Sequence, residues 1–283
     1  YSEVIYINEE PVRFVRLILG VCSPSCADAG FDTDIYWSKD GVRFIETLDA
    51  NQKKAIYRIK NGRPYYYRET IFGRGTVCWA VDEGLLVKDQ WASAERTPES
   101  DLLEKVKGLP FVGQMVAFVT GTSTAKLRGF DNYENEVSET DKKRFRNRFF
   151  RRVTLKNGGK PLEDFKTPEE VLYALRDVVQ GHKNLWDKGI LHRDISTNNI
   201  LIAHSGTVQQ RGTLIDLDMA ILIDRTSSLA RTDFRTGTRV FQSANVLSSA
   251  VNSDDRNELY PHDYLDDFES LFYVLCWMAW GHE

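Results

Sequence analysis

Hydrophobic and polar positions change rhythm along this chain, and the change divides it. To about residue 70 the apolar residues come in β-branched and aromatic runs, such as Val12–Leu19 and Ala55–Ile59, separated by Gly and Asp turns, which predicts strands. Thr70–Val87 continues that texture. Thr97-Pro98-Glu99-Ser100-Asp101 then predicts the start of a short helix reaching about Lys107, with acids in its first turn. Beyond Thr167-Pro168-Glu169-Glu170, the apolar residues Val171, Leu172, Leu175, Val178, Val179 and Leu185 recur at helical spacing as far as Lys188-Gly189. Three runs of strand length follow, Ile190-Leu191, Ile200–Ile202 and Thr213–Ile215, and then an irregular stretch to about Asn257 whose length suggests a functional loop. Phe268–Trp280 is apolar nearly all round and predicts a buried helix.

Composition narrows this picture only a little. The 283 residues suit two domains or one two-part unit, and 42% hydrophobic with 28% charged residues is ordinary for a soluble globular chain. No run approaches the ~18 apolar residues that a membrane span needs, so no membrane partner is expected. A net charge of −4 gives no reason to expect nucleic acid as a partner. The four cysteines include one C-x₃-C pair, Cys22 and Cys26, without the second pair or the histidines that would complete a zinc site. That pattern points to a reduced, intracellular protein, cytoplasmic or nuclear. The stretch from Asp131 to Arg152 is charged and includes Lys142, Lys143, Arg144, Arg146, Arg148, Arg151 and Arg152. It reads as a localisation or phosphate-binding patch or, more commonly for such clusters, as a solvated helix face or insertion without function. The chain opens on Tyr1 and stops in an apolar, helix-like stretch, and so reads as a fragment.

The chemistry is concentrated after the long helix. His192-Arg193-Asp194-Ile195-Ser196-Thr197-Asn198-Asn199 fits the H-R-D-x-x-x-x-N spacing of a protein-kinase catalytic loop, between a helix and a strand. Phosphoryl transfer needs a carboxylate to orient the attacking hydroxyl and a neutral oxygen to hold magnesium on the phosphates. Asp194 and Asn199 are those residue types. Seventeen residues past Asn199, Leu214-Ile215-Asp216-Leu217-Asp218 sets Asp216 at a strand end. Such an acid alone is a turn residue, but downstream of this loop it reads as a second magnesium ligand.

With Gly73-Arg74-Gly75-Thr76, Leu85–Asp89, Leu191–Ser196, Asn198-Asn199, Ile215–Asp218 and Asp266–Leu271, the sequence resembles the fungal-type protein kinases over nearly its whole length. The resemblance implies an α+β, bilobal, protein-kinase-like fold with a small β-rich lobe and a larger, mainly helical lobe whose final helices are missing. It divides the chain into a β-rich N-terminal extension packed on the small lobe (1–66), the kinase small lobe (67–130), a charged insertion (131–152) and an incomplete large lobe (153–283). ATP with Mg2+ would lie between the lobes, and a protein would be the substrate. Gly73 and Gly75 would cover the phosphates in a pattern whose third glycine is replaced by Cys78, which would crowd or stiffen the loop. Lys88 corresponds to the phosphate-binding lysine, with Glu99 as the first choice for its carboxylate partner and Glu104, on the next turn, as the second. Asp267 corresponds to the acid that fixes the catalytic-loop backbone, with Asp266 or an ordinary N-terminal helix cap as the alternative.

Some positions depart from the family pattern. Asp218 stands for the glycine of D-F-G, Ser196 for a lysine and Asn245 for the acid that ends the activation segment. Thr238, seven residues before Asn245, keeps the Gly-Thr spacing of serine/threonine kinases. The function expected is Mg-dependent transfer from ATP to a protein serine or threonine by Asp194, Lys88 and Asn199. A pseudokinase interaction module, or a small-molecule kinase, is the alternative.

Overall fold

The computed structural model describes residues 5–27, 29–68, 73–130, 132–133, 137–138, 145–203, 211–223, 237–251 and 262–281. The first element is a helix, α1 (Pro11–Val21). Here the hydrophobic pattern predicts a strand, and the structure corrects it. An unbroken apolar run does not discriminate between the two. Pro11 suits the first helical turn, and Arg13, Arg16 and Gly20 recur at helical intervals along one side. No residue of α1 is buried.

Three antiparallel strands follow in spatial order, β1 (Ile35–Trp37), β2 (Arg43–Leu48) and β3 (Lys54–Arg58). Next come β4 (Tyr66–Tyr67), β5 (Val77–Val81), β6 (Leu85–Ser93), α2 (Glu99–Lys105), β7 (Met115–Ser123), α3 (Thr124–Leu127) and β8 (Arg148–Lys156). Their strands form one antiparallel sheet in the order β4-β5-β6-β8-β7. The β5–β6 turn places Glu83 and Gly84 at φ 61° and 67°, the backbone that a tight hairpin matching strand twist requires.

β8 revises the expected boundaries. It pairs with β6 from Leu85↔Lys156 to Ser93↔Arg148, so a boundary at Arg152 cuts through a strand of the main sheet. Arg148, Arg151 and Arg152 are therefore strand residues and not a helix face. Lys142, Lys143 and Arg144 lie outside the described residues.

The helical part contains β9 (Lys160–Pro161), α4 (Pro168–Trp186), β10 (Ile190–Leu191), β11 (Ile200–Ile202), β12 (Gly212–Leu214), β13 (Ile221–Leu222), α5 (Ala244–Val251) and α6 (Tyr264–Trp280). β11 lies between β9 and β12, and β10 pairs with β13.

The period of two along β5 and β6 decides what each face of the main sheet meets. Val77, Trp79, Val81, Leu85 and Val87 pack with Ile45, Tyr57 and Ile59 of the front sheet and its edge. On the other face, Val153 joins Leu102 and Leu103 of α2 in the large core, which continues through Leu175, Val178, Ile200, Leu214 and Val274. Each such side chain contributes roughly 1.5–3 kcal/mol on burial.

α6 does not bury itself all round as its apolar run predicts. It buries Asp266, Asp267, Ser270, Leu271, Val274 and Met278, while Phe272, Trp277 and Trp280 are exposed. The buried stripe repeats at helical spacing, and its polar end carries hydrogen bonds described below. Among the described residues no helix is long and apolar enough to cross a membrane.

Candidate active site

β6 delivers Lys88 to the α2 side of the sheet. Its ammonium donates to Glu99 Oε2 at 2.8 Å and to Asp216 Oδ1 at 2.7 Å. Glu99 is the first residue of α2 and is itself held, accepting from Gln90 Nε2 at 3.2 Å and from the Leu217 N–H at 3.2 Å. Glu104 instead pairs with Lys107 on the surface. Burial opposes a charged Lys88, but the two carboxylates outweigh it and raise its affinity for the proton above the ordinary lysine value. Burial likewise pushes the Asp216 carboxyl up, yet the charges of Lys88 and Arg74 prevail and hold it below the usual range. Each buried charge is tolerated because the others are there.

Asp216 and Asn199 come from different segments and are brought together by backbone pairing. The Ile215 N–H donates to Asn199 O at 2.9 Å, one residue before Asp216. Asp216 adopts the left-handed conformation, φ 67° and ψ 78°, and Oδ1 also accepts the Asp218 N–H at 3.3 Å. Asn199 donates its amide to Asp194 O at 2.7 Å, which leaves its carbonyl oxygen as the end without a partner among the described residues. The second oxygen of Asp216 is in the same position. These two oxygens are the donors that a hard divalent cation accepts. Among the described residues no cluster of three or more His, Cys, Asp or Glu could hold a metal. A carboxylate and an amide oxygen are a sparse donor set, of the kind that magnesium accepts when phosphates and water complete its shell.

The loop bearing Asp194 is fixed from behind by α6. Asp267 accepts the His192 N–H at 3.1 Å and the Arg193 N–H at 2.9 Å. His182 Nε2 and His262 Nε2 lie 2.9 and 3.1 Å from the same carboxylate. Burial would raise this carboxyl, but the bonds and charges of the two histidines hold it well below the ordinary carboxylate range. Arg193 can therefore keep φ 68°, a conformation costly for a residue with a side chain. Asp267 serves the loop and not a helix cap: Asp263 caps α6, in a capping box with Asp266.

From the opposite side, Thr238 donates both its N–H (2.8 Å) and its hydroxyl (3.0 Å) to Asp194 Oδ1. The preceding Gly237 has φ +107°, and a Cβ there would lie 3.0 Å from Arg193 O, so only glycine lets the segment approach this closely. Asn245, which replaces an expected acid, donates to both oxygens of Asp266 at 3.2 and 3.3 Å. Ser243 donates to Asp266 as well.

Gly73 and Gly75 turn at φ 123° and 57° beside β6, where the Trp91 N–H donates to Arg74 O at 2.7 Å. Cys78 is not part of that turn. It is a β5 residue opposite Lys88, and burial pushes its thiol up to about 12. The Arg74 guanidinium reaches across to Asp218 Oδ2. Sequence reasoning finds neither that contact nor the Gln90, His182 and His262 bonds. Arg74 carries a visible signal, a cation between two glycines, whereas the histidines carry none.

An ammonium between two acids, a pair of cation-accepting oxygens and a carboxylate facing a hydroxyl-bearing segment together suit phosphoryl transfer. No curated protein matches the chain. A family model described as fungal protein kinase matches residues 1–279, and the chain belongs to that family.

Proposed function

We propose that this chain is an ATP- and magnesium-dependent protein kinase that transfers the terminal phosphoryl group to a serine or threonine of a protein. The observation that carries this reading is the Lys88 ammonium, held between Glu99 and Asp216, with Asp216 one residue past the Ile215–Asn199 pairing. Among the described residues it keeps an N–H beyond those two bonds, a donor that suits a phosphate.

In this reading the sheet-rich and helical parts are the two lobes, and nucleotide lies between them under Gly73 and Gly75. Residues to 66 form the extension, and the small lobe includes β7 and β8. Lys88 holds the α- and β-phosphates while Glu99 keeps it in place. Asn199 and Asp216 hold magnesium, which when bound neutralises charge on the phosphate oxygens. Asp194 orients the acceptor hydroxyl and takes its proton as the new O–P bond forms and the β,γ-bridging oxygen leaves with ADP. Thr238, bonded twice to Asp194, supports a shallow acceptor site suited to serine or threonine. The free thiols of Cys22, Cys26, Cys78 and Cys276 fit a reducing, intracellular compartment.

The test is transfer from γ-labelled ATP to a peptide library with magnesium titrated, followed by phosphoamino-acid analysis. Phosphoserine and phosphothreonine, reduced in Thr238→Ala, are expected. Phosphotyrosine as the main product would overturn the acceptor assignment. Magnesium-ATP binding without transfer at any concentration would mark an interaction module instead.

A further inference from the structure

Arg74 lies between two glycines whose positive φ values turn the chain sharply, and its carbonyl is anchored by the Trp91 N–H. Its guanidinium does not point to solvent. It contacts Asp218, a buried acid standing where the family pattern has glycine, and the Asp218 N–H bonds to Asp216 Oδ1. Among the described residues the row of linked charges therefore runs Arg74, Asp218, Asp216, Lys88, Glu99, two cations against three acids. A polyphosphate entering beside Asp216 meets an excess of negative charge. Ser196 offers no cation to offset it. A guanidinium grips carboxylate and phosphate oxygens through the same planar fork, so Asp218 occupies Arg74 as a phosphate would.

We propose that Arg74 binds the terminal phosphates of the nucleotide, and that Asp218 is a built-in competitor which those phosphates must displace. This rests on the kinase reading and adds a residue that reads phosphate number. The Arg74 fork is paired with Asp218, so adenosine, without phosphates, has no reason to break the pair. ADP and ATP do.

The experiment measures equilibrium binding of adenosine, ADP and ATP with magnesium to the wild-type chain, Arg74→Ala and Asp218→Asn. Asp218→Asn is expected to tighten ATP about tenfold, and Arg74→Ala to weaken it about tenfold or more, the scale of one charge-assisted hydrogen bond. Both should leave adenosine unchanged. The gain in Asp218→Asn cannot arise from misfolding. If wild type binds ATP but neither variant alters the ratio of ATP to adenosine affinity, the pair is only a structural clasp and the proposal is wrong. Equal weakening of adenosine and ATP in Arg74→Ala, with no gain in Asp218→Asn, overturns it too. If wild type binds no nucleotide, the kinase reading itself falls first.

Discussion

Lys88 and Asp89 are neighbours on β6, both buried, both in ion clusters, and they face opposite sides of one sheet. On the Asp89 side, Arg152 donates to Asp89 through Nε (2.7 Å) and Nη2 (3.0 Å), to Asp34 (3.2 Å), to Asp32, and to Glu46 O (2.9 Å). Trp79 Nε1 adds a bond to Asp89 at 3.2 Å. Every N–H of that guanidinium is in use, and the bonds tie the front sheet and the segment before it to the main sheet. Among the described residues Lys88 makes only two bonds, which leaves one of its three N–H donors over. A saturated cluster holds parts together. An unsaturated one is prepared to receive something.

The contrast is broken most directly on the Lys88 side, where the effects are largest. Asp194→Asn should lower phosphoryl transfer by about 10²- to 10⁴-fold, the range for loss of a general base, with ATP affinity and melting temperature near wild type. Lys88→Met should lower transfer by about 10²- to 10³-fold and weaken ATP binding as well. Loss of binding in folded Asp194→Asn would make Asp194 a structural residue.

Arg152→Met should do the reverse. It leaves Asp89 buried without its cation, at a cost of about 3–5 kcal/mol, read as a lower urea midpoint. Transfer per folded molecule should stay within a few-fold of wild type. A folded Arg152→Met protein that binds ATP but does not transfer phosphate would show that the saturated cluster also positions the chemistry, and the division between the two faces would fail.

This division also explains what the sequence reveals. Lys88, Asp194, Asn199 and Asp216 sit in motifs whose residue types and spacings are those that phosphoryl transfer demands, and Glu99 follows from the helix start. Arg152, Asp89 and the Asp32–Asp34 stretch lie in three separate segments with no shared spacing, so their meeting is visible only in the folded chain. The same holds for His182 and His262, which meet at Asp267 from outside the catalytic loop. The apolar runs mislead where tertiary context decides. Val12–Leu19 is helical with no buried residue, and α6 turns Asp266 and Asp267 inward, where Asp267 accepts the His192 and Arg193 N–H groups.

Two buried aspartates sharpen the comparison through pH, with effects on the order of 1 kcal/mol. The Asp267 carboxyl is depressed, so it stabilises the fold above the ordinary value of 3.8 and loses that contribution as pH falls below it. Burial raises the Asp89 carboxyl more than Arg152 lowers it. The folded chain therefore takes up that proton first, and this contribution grows as pH falls toward 3.8 from above. Urea unfolding at several pH values should give slopes of opposite sign. The advantage of wild type over Asp267→Asn should shrink below pH 3.8, and its advantage over Asp89→Asn should increase on acidification above that value. Parallel pH curves for wild type and both variants would remove the assignment.

Cys78 offers the smallest and most local test, because it shares the Lys88 face yet takes no part in its cluster. Read as the third position of a glycine pattern, it belongs to the phosphate loop, and Cys78→Gly should restore a missing feature and speed transfer. The structure places it instead within β5, paired with Lys88 on one side and Tyr66 on the other, with its carbonyl accepting the Tyr65 N–H at 2.8 Å. Glycine inside a strand loses packing and loosens the unfolded chain, so Cys78→Gly should cost roughly 1 kcal/mol and bring no gain in transfer. Alkylation provides an independent check. Burial that pushes the thiol up to about 12 leaves almost no thiolate near pH 8, whereas Cys22 and Cys26 are exposed. The native chain should therefore label at Cys22 and Cys26 and spare Cys78 until urea unfolds it. Rapid native labelling of Cys78, or faster transfer by Cys78→Gly, would return this residue to the loop and move the edge of the site one strand outward.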